Sequence, residues 1–209
     1  MNAILFDLDG TLWETVDTTL ESVNEIARKY HLKEINRETI CKGMGKNLEE
    51  CAALYMPDVE KQKRIEIMKE MLDYNSEKLS KIGGNCYPEV EKVLKKLQER
   101  YFLAIVSNCG AGYIESFLDS SHLGIYFKDY IAASKEGIPK SDAILKIIKR
   151  NSISSAIYIG DTAKDLEASK EAGIPFIHAK YGFESNLETQ YSILELRDLP
   201  LLLEETFKL

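Results

Sequence analysis

Residues 3–12 read AILFDLDGTL, and this stretch decides how the rest of the chain is interpreted. An apolar run with the character of a buried strand ends on two carboxylates, Asp7 and Asp9, and Gly10 follows at once. Neighbouring anions repel and raise each other's pKa unless they share a cation or a proton. Gly10 permits a turn that presents both acids to one small volume. The pattern therefore predicts a Mg2+ site, acid–base chemistry, or both.

The composition is typical of a globular protein. The chain has 209 residues, of which 44% are apolar, enough for one substantial domain or for a core with a smaller insert. Its net charge of -7 argues against a nucleic-acid surface. No run approaches the ~20 apolar residues of a membrane span, and the apolar run before Asp7 is too short for a signal peptide. We therefore expect a cytoplasmic protein with no membrane or nucleic-acid partner.

Apolar runs and helical patterns alternate along most of the chain. β-Branched and aromatic residues predict five buried strands, at 2–6, 102–107, 130–133, 156–160 and 175–178. Helical periodicity is present at 88–99, 113–120, 140–150 and 163–172, and a short strand at 191–194 and a closing helix at 198–207 follow. This alternation predicts an α/β fold, a Rossmann-like, doubly wound parallel sheet with helices on both faces.

Residues 13–82 interrupt this alternation, because they show helical periodicity throughout and no clear strand. Four helices are expected, at 15–30, 36–42, 48–55 and 58–79. The pattern predicts an inserted helical unit at 13–82 and a core formed by 1–12 and 83–209. At the edges of the core helices, Pro88 is expected at a first helical position and Gly173 directly after a helix end.

Two polar segments at strand ends are candidates for phosphate binding. The strand at 102–107 runs into Ser107 and Asn108, whose hydroxyl, amide and backbone N–H groups suit phosphate oxygens. Lys140 is expected in the first turn of a helix, where a cation opposes the helix dipole unless it meets several negative charges. Lys135 is the rival lysine, but it follows the preceding strand too closely and lacks a following helix. These features favour Lys140, and the resemblance described below implies the same choice.

A second apolar strand, at 156–160, also ends on acids, Asp161 and Asp165. Ligands of open α/β sheets gather at the carboxyl ends of the strands, so these acids are expected to face Asp7 and Asp9. Four converging carboxylates without a cation would be strongly unfavourable. Mg2+, which prefers oxygen ligands, resolves this conflict.

These four motifs, in this order and with a helical insert after the first strand, resemble those of the haloacid dehalogenase superfamily. The similarity is greatest to its helical-cap (C1) subgroup, which includes phosphoglycolate phosphatases and β-phosphoglucomutases. The resemblance implies that 13–82 is an α-helical cap domain and that the remainder is a Rossmann-like catalytic core. It also implies phosphate esters as substrates, because dehalogenating members lack an acid at the position of Asp9.

The resemblance further implies roles for the acids. Asp7 would be the nucleophile that forms an aspartyl phosphate, and Asp9 would be the general acid and base. Mg2+ would be the cofactor, held by Asp7, the backbone carbonyl of Asp9 and Asp161. Asp165 would bind the metal, directly or through water, or position Lys140. Thr11 would orient Asp9.

The remaining motif residues would bind the substrate. The resemblance implies that Ser107, Asn108 and Lys140 bind the phosphate oxygens. Trp13 and Lys46, at the junction and in a loop of the cap, are candidates for substrate specificity. Lys46 would meet a second anionic group such as a carboxylate.

The expected activity is that of a Mg2+-dependent phosphatase acting on a small phosphorylated metabolite, phosphoglycolate-like or a sugar phosphate. A sugar phosphomutase of β-phosphoglucomutase type is the enzymatic alternative, since it shares the motifs and the cap. A non-catalytic, phospho-ligand-binding regulatory protein is the alternative of another class. We expect a monomer or a weak homodimer.

Overall fold

A computed structural model describes residues 1–207. Its strands are β1 (Asn2–Phe6), β2 (Trp13–Glu14), β3 (Asn85–Cys86), β4 (Phe102–Ser107), β5 (Asp129–Ala132), β6 (Ser155–Gly160), β7 (Phe176–Ala179) and β8 (Ser192–Ile193). Six of them form one sheet in the order β5-β4-β1-β6-β7-β8, and every neighbouring pair is parallel. The expected doubly wound α/β sheet is therefore confirmed.

Ten α-helices accompany the strands within residues 1–207. They are α1 (Val16–Lys29), α2 (Arg37–Gly43), α3 (Leu48–Tyr55), α4 (Lys61–Ile82), α5 (Val90–Leu97), α6 (Tyr113–Ser121), α7 (Ala133–Glu136), α8 (Lys140–Arg150), α9 (Ala163–Glu171) and α10 (Leu199–Leu202). Short 3-10 turns occupy Leu123–Tyr126 and Leu196–Asp198, and a π turn occupies Leu203–Phe207. No helix in this part of the chain combines the length and apolar character needed to cross a membrane.

The sheet is buried on both faces because its central strands are apolar throughout. Ile4 and Phe6 of β1 pack into one hydrophobic cluster with α5, α6 and α10. Ala3 and Leu5 point the other way and pack with α8 and α9. This burial on both faces explains why β1 is a continuous apolar run rather than an alternating one.

Helices α1–α4 pack around a hydrophobic cluster of their own, which includes Val23, Ile40 and Met68. Two connections join them to the sheet, and these connections pair as the antiparallel strands β2 and β3. No strand was expected there, because two residues are too few to show a periodic pattern. The division into a cap at 13–82 and a core at 1–12 and 83–209 stays a prediction, and Trp13 packs into the cluster of the sheet.

Several of the expected helix ends differ from the structure, and α4, for example, covers Lys61–Ile82 rather than 58–79. Pro88 lies in a turn rather than at a first helical position, because Glu89 adopts a left-handed conformation with φ of 62° and α5 begins only at Val90. The closing segment is helical only over Leu199–Leu202 before it changes to the π turn. Gly173, with φ of +70°, follows α9 as expected.

Candidate active site

Three neighbouring strands bring the motif residues to one edge of the sheet. β1 lies between β4 and β6, so Asp7 after β1, Ser107 at the end of β4 and Asp161 after β6 meet there. In chain order, β4 and β5 lie on one side of β1, and the later strands β6, β7 and β8 lie on the other side. Such a reversal of strand order opens a crevice at the carboxyl ends of the strands.

Asp7, Asp161 and Asp165 form a compact, buried group at this edge, with one carboxylate oxygen of each within 4.8 Å of the others. Burial, together with the charges of Asp165 and Asp7, raises the pKa of Asp161 well above its usual value. Gly10 (φ +80°) permits the close approach of the first loop, because a Cβ at that position would overlap the Asp161 carboxylate. Three carboxylates with only oxygen donors fit a divalent cation such as Mg2+.

Lys140 supplies the positive charge inside this acid group. It is the first residue of α8, and its Nζ lies 2.9 Å from Oδ1 of Asp7 and 2.6 Å from Oδ1 of Asp165. Burial alone would lower the pKa of Lys140, but Asp165 and Asp7 hold it well above its usual value. Lys135 lies outside the acid group, half-exposed and 3.6 Å from Glu115. The structure therefore brings the selected lysine to Asp7.

Asp9 faces hydroxyl groups instead of the acid group. Its Oδ1 accepts hydrogen bonds from Tyr113 Oη at 2.7 Å and from Thr15 Oγ1 at 3.0 Å. Burial raises the pKa of Asp9 to about 6, and these two hydrogen bonds limit the rise. A carboxyl group that titrates near neutral pH is well suited to give and take a proton.

Asp7 lies in a different electrostatic environment. Burial and the charge of Asp165 raise its pKa to about 7, while Lys140 opposes the rise. A divalent cation beside Asp7 would favour the carboxylate form that a nucleophile needs. Two carboxyl groups only two residues apart therefore meet different partners, a cation and a pair of hydroxyls.

Thr11 differs from expectation. Its Oγ1 donates to Oδ1 of Asp161 at 3.3 Å, and the backbone N–H of Phe183 donates to Oδ2 of Asp161 at 2.7 Å. Thr11 thus orients Asp161, and Thr15 and Tyr113 orient Asp9. Asp165 is held by its own helix end, where the Thr162 backbone N–H donates to Oδ2 at 3.0 Å in a capping box.

The turn after β4 connects the sheet edge with the cap. Ser107 is buried at the end of β4 and lines the crevice with Asp7 and Asp9. The Asn108 side-chain amide donates to the carbonyl oxygen of Gly45 at 3.1 Å, in the loop between α2 and α3. The Asn108 carbonyl accepts from Ser134 Oγ at 2.7 Å, which holds the turn in place.

A cavity of about 300 Å³ lies between this edge and helices α1, α3 and α4. Its walls include the apolar side chains of Val23, Met68 and Leu72. Lys69 and Asp73 of α4 also line it, and Lys46 reaches it from the loop before α3. Trp13 is fully buried and packs against Tyr113 and Phe117, with ring centroids 5.7 and 5.0 Å away. This packing places Trp13 at the junction, and its role in substrate specificity stays a prediction.

The sequence analysis missed Tyr113 and Thr15 as partners of Asp9. Tyr113 is the first residue of α6, directly after the polar turn, and Thr15 lies six residues beyond Asp9. The position of Tyr113 at a helix start, directly after the polar turn that follows β4, was the signal available in the sequence. Its hydroxyl reaches Asp9 because α6 packs into the same hydrophobic cluster as β1.

The comparisons with known proteins agree with this geometry. A family model described as haloacid dehalogenase-like hydrolase matches residues 4–179. The chain belongs to this family. The matched range includes Asp7, Lys140 and Asp161, and the family is one of hydrolases.

Individual relatives of the haloacid dehalogenase-like family match over most of the chain. A phosphoglycolate phosphatase from Aquifex aeolicus is 27% identical over 188 residues, covering 88% of this chain and 86% of that protein. A haloacid dehalogenase-like hydrolase from Streptococcus pneumoniae has a TM-score of 0.84 at 21% identity, covering 95% and 96% of the two chains. A structure titled as a predicted phosphatase from Clostridium acetobutylicum has a TM-score of 0.82 at 24% identity, covering 97% and 98%. These structures share the fold of this chain.

Proposed function

We propose that this protein is a Mg2+-dependent phosphatase that hydrolyses a small phosphorylated metabolite through an aspartyl-phosphate intermediate. The carrying observation is the unequal surroundings of Asp7 and Asp9, which lie side by side at the crevice. Asp7 is paired with a buried cation, as suits a nucleophile, and Asp9 has a pKa of about 6, as suits a proton shuttle. The phosphoglycolate phosphatase relative supports the reaction class.

The proposed reaction has two steps, which divide the work between the two acids. An Asp7 carboxylate oxygen attacks phosphorus, the bond from phosphorus to the ester oxygen breaks, and Asp9 protonates that oxygen as it leaves. Water then attacks the phosphorus of the aspartyl phosphate and gives its proton to Asp9. The bond between phosphorus and Asp7 breaks, inorganic phosphate leaves, and both carboxyl groups return to their starting forms.

The neighbouring groups would hold the phosphate. Asp7, Asp161 and Asp165, with the backbone carbonyl of Asp9, would hold Mg2+, which supplies charge neutralisation at the transferring phosphoryl group. Lys140 reaches the nucleophile and is proposed to bind a phosphate oxygen at the same time. Ser107 and Asn108 are proposed to bind the other oxygens from the turn after β4.

The residues 13–82 are proposed to be the cap that selects the substrate. If the substrate is phosphoglycolate-like, Lys46 would meet its carboxylate, because Lys46 lines the cavity. Transfer to a second sugar hydroxyl would make the enzyme a phosphomutase, and a protein that binds without turnover would be regulatory. The assay described in the next paragraph distinguishes the phosphomutase and the regulatory protein from a phosphatase.

Hydrolysis of p-nitrophenyl phosphate tests the proposal. We expect phosphate release that requires Mg2+, is abolished by EDTA and is lost in Asp7→Asn. The control, Asp119→Asn, changes an exposed carboxylate of α6 and should keep full activity. Full activity in Asp7→Asn would contradict the mechanism. Isomerisation of β-glucose 1-phosphate without phosphate release would identify a mutase, and phosphate binding without any turnover would identify a regulatory protein.

A further inference from the structure

A pair of polar side chains is buried in the wall of the cavity, where α1 faces α4. Asn75 on α4 is 3% exposed, and its Nδ2 lies 3.3 Å from Oγ1 of Thr19 on α1. Both residues line the cavity. The Asn75 Oδ1 is buried without a hydrogen-bond partner among residues 1–207. A buried acceptor without a partner is costly, so it indicates a missing donor.

The position of Asn75 and Thr19 relative to Asp9, the proposed general acid, follows from helix geometry. Thr15, which donates to Asp9, and Thr19 are four residues apart at the start of α1. Residues at this spacing lie on one helix face, with Cβ atoms about 5–6 Å apart. A group bound by Thr19 and Asn75 would therefore lie roughly one helical turn from the leaving oxygen that Asp9 protonates.

The surroundings of the pair are both apolar and charged. Val23, Met68 and Leu72 line the same cavity as Lys69 and Asp73, so the choice of ligand rests on the pair itself. The cavity of about 300 Å³ lies at the lower end of the ~300–1,000 Å³ typical of ligand pockets. It therefore accommodates an organic group beyond the phosphate itself.

A hydroxyl matches the chemistry of the pair better than a carboxylate. It can donate to Asn75 Oδ1 and accept from the Thr19 hydroxyl, whose own oxygen accepts from Asn75 Nδ2. It satisfies the pair whichever way the amide is turned, because it both donates and accepts. A carboxylate only accepts, and would leave Oδ1 unpaired beside a second negative oxygen.

We propose that Asn75 and Thr19 determine specificity by binding a hydroxyl on the organic part of a phosphomonoester, roughly three or four carbons from the ester oxygen. The substrate class is thus an uncharged hydroxylated phosphate such as a polyol or sugar phosphate. This inference rests on the proposed phosphatase function. It specifies the part of the substrate that the cap recognises.

Matched alkyl phosphates test the specificity. Wild-type enzyme is assayed with 3-hydroxypropyl and 4-hydroxybutyl phosphate against propyl and butyl phosphate. We expect kcat/KM to be about tenfold higher for at least one hydroxylated member, because the unhydroxylated analogue leaves buried polar groups unpaired. Equal values within both pairs would overturn the inference. So would a preference for phosphoglycolate over every hydroxyalkyl phosphate, which would indicate a carboxylate site at Lys46.

Two variants assign the preference to this pair. Asn75→Leu and Thr19→Val keep the approximate shapes and remove the polar groups, so the ratio of hydroxyalkyl to alkyl kcat/KM should fall towards one. Glu66→Gln, at an exposed position of the same helix that does not line the cavity, should keep the wild-type ratio. A ratio that survives in both variants would contradict the inference. The wild-type comparison decides the substrate preference even if a buried substitution prevents folding.

A failure of the proposed hydroxyl specificity can be distinguished from a failure of the proposed phosphatase function. Mg2+-dependent hydrolysis of p-nitrophenyl phosphate that is lost in Asp7→Asn supports the function without reference to Asn75. Absence of any hydroxyl preference in such an active enzyme overturns only the specificity inference.

Discussion

The side-chain amide of Asn108 donates a hydrogen bond to the carbonyl oxygen of Gly45, 3.1 Å away, and so connects the turn after β4 directly to the cap. A second tie lies nearby, where Lys164 of α9 forms an ion pair with Glu50 of α3. Glu50 also completes the capping box that begins α3 at Asn47. The segment that precedes and begins α3 is thus attached to the sheet edge at two points.

Removing the ion pair should loosen the cap without touching the chemistry. For Lys164→Met we expect KM to rise up to about fivefold and kcat to change little, because a partly exposed pair contributes up to about 1 kcal/mol. Steady-state kinetics with p-nitrophenyl phosphate measure both values. The difference in KM between Lys164→Met and wild type should shrink in high salt. Lys170→Met, exposed near the end of α9, is the matched control, and an equal effect there would rule out the ion pair as the cause.

Tyr113→Phe should change the pH dependence of the reaction. The Tyr113 hydroxyl stabilises the ionised form of Asp9, so its loss should raise the Asp9 pKa above about 6. The alkaline limb of kcat/KM, which reports the acid of the free enzyme, should move up by about half to one pH unit. Tyr126→Phe, whose hydroxyl donates to Glu91 at 3.1 Å, should keep the wild-type profile. An unchanged limb in Tyr113→Phe would show that Asp9 is not the titrating acid.

Asp7→Asn should stabilise the metal-free protein. Burial and Asp165 raise the Asp7 pKa from 3.8 to about 7, so the folded state holds this proton more tightly than the unfolded state. This contribution is present below pH 3.8 and is lost as pH rises to about 7. In EDTA above pH 7 the variant should therefore melt at least about 2–4 °C higher, equivalent to about 1 kcal/mol.

Mg2+ should stabilise wild type more than it stabilises Asp7→Asn. It should raise the melting temperature of wild type more than that of Asp7→Asn, because the variant lacks one of the proposed ligands. Thermal unfolding with and without Mg2+ provides the comparison, with Asp119→Asn as the control. A variant that melts below wild type in EDTA at this pH would contradict the electrostatic argument.

Asp129→Asn should destabilise the fold far from the crevice. Burial alone would raise the Asp129 pKa, but hydrogen bonds from Arg150 and Asn151 outweigh it and hold the pKa below its usual value. These bonds join β5 to the end of α8, and Arg150 Nε lies 2.6 Å from Asp129 Oδ2. The pair is partly exposed and therefore screened, so we expect a loss of about 1 kcal/mol.

The loss of stability in Asp129→Asn should depend on pH in a definite direction. A carboxylate with a lowered pKa stabilises the fold above its unfolded value of 3.8, and the stabilisation disappears as pH falls through the folded value. Urea unfolding should therefore separate wild type from Asp129→Asn at neutral pH and not in strong acid. Glu38→Gln, which breaks an exposed pair within α2, should cost less than about 0.5 kcal/mol. Equal losses in the two variants would contradict the assignment.

The sequence predicted the helices and strands that show a periodic or apolar pattern over several consecutive residues. Helices α3 and α8 begin and end where periodicity placed them, and β1 and β4 match their apolar runs residue for residue. Short features escaped prediction, because β2 and β3 have two residues each and their pairing depends on both connections to the cap meeting. The left-handed Glu89, which delays α5, has no periodic signal at all.

The sequence by itself determined the α/β alternation, the acids at the ends of strands and the resemblance to the family, because strand and helix periods depend on neighbouring residues. Only the tertiary structure decided the partners of these acids. Asp9 meets Tyr113 across 104 positions, and Asp7 meets Lys140 across 133. Hydrogen bonds over such separations are set by how α6 and α8 pack on the sheet, and packing directions leave no periodic trace in the sequence.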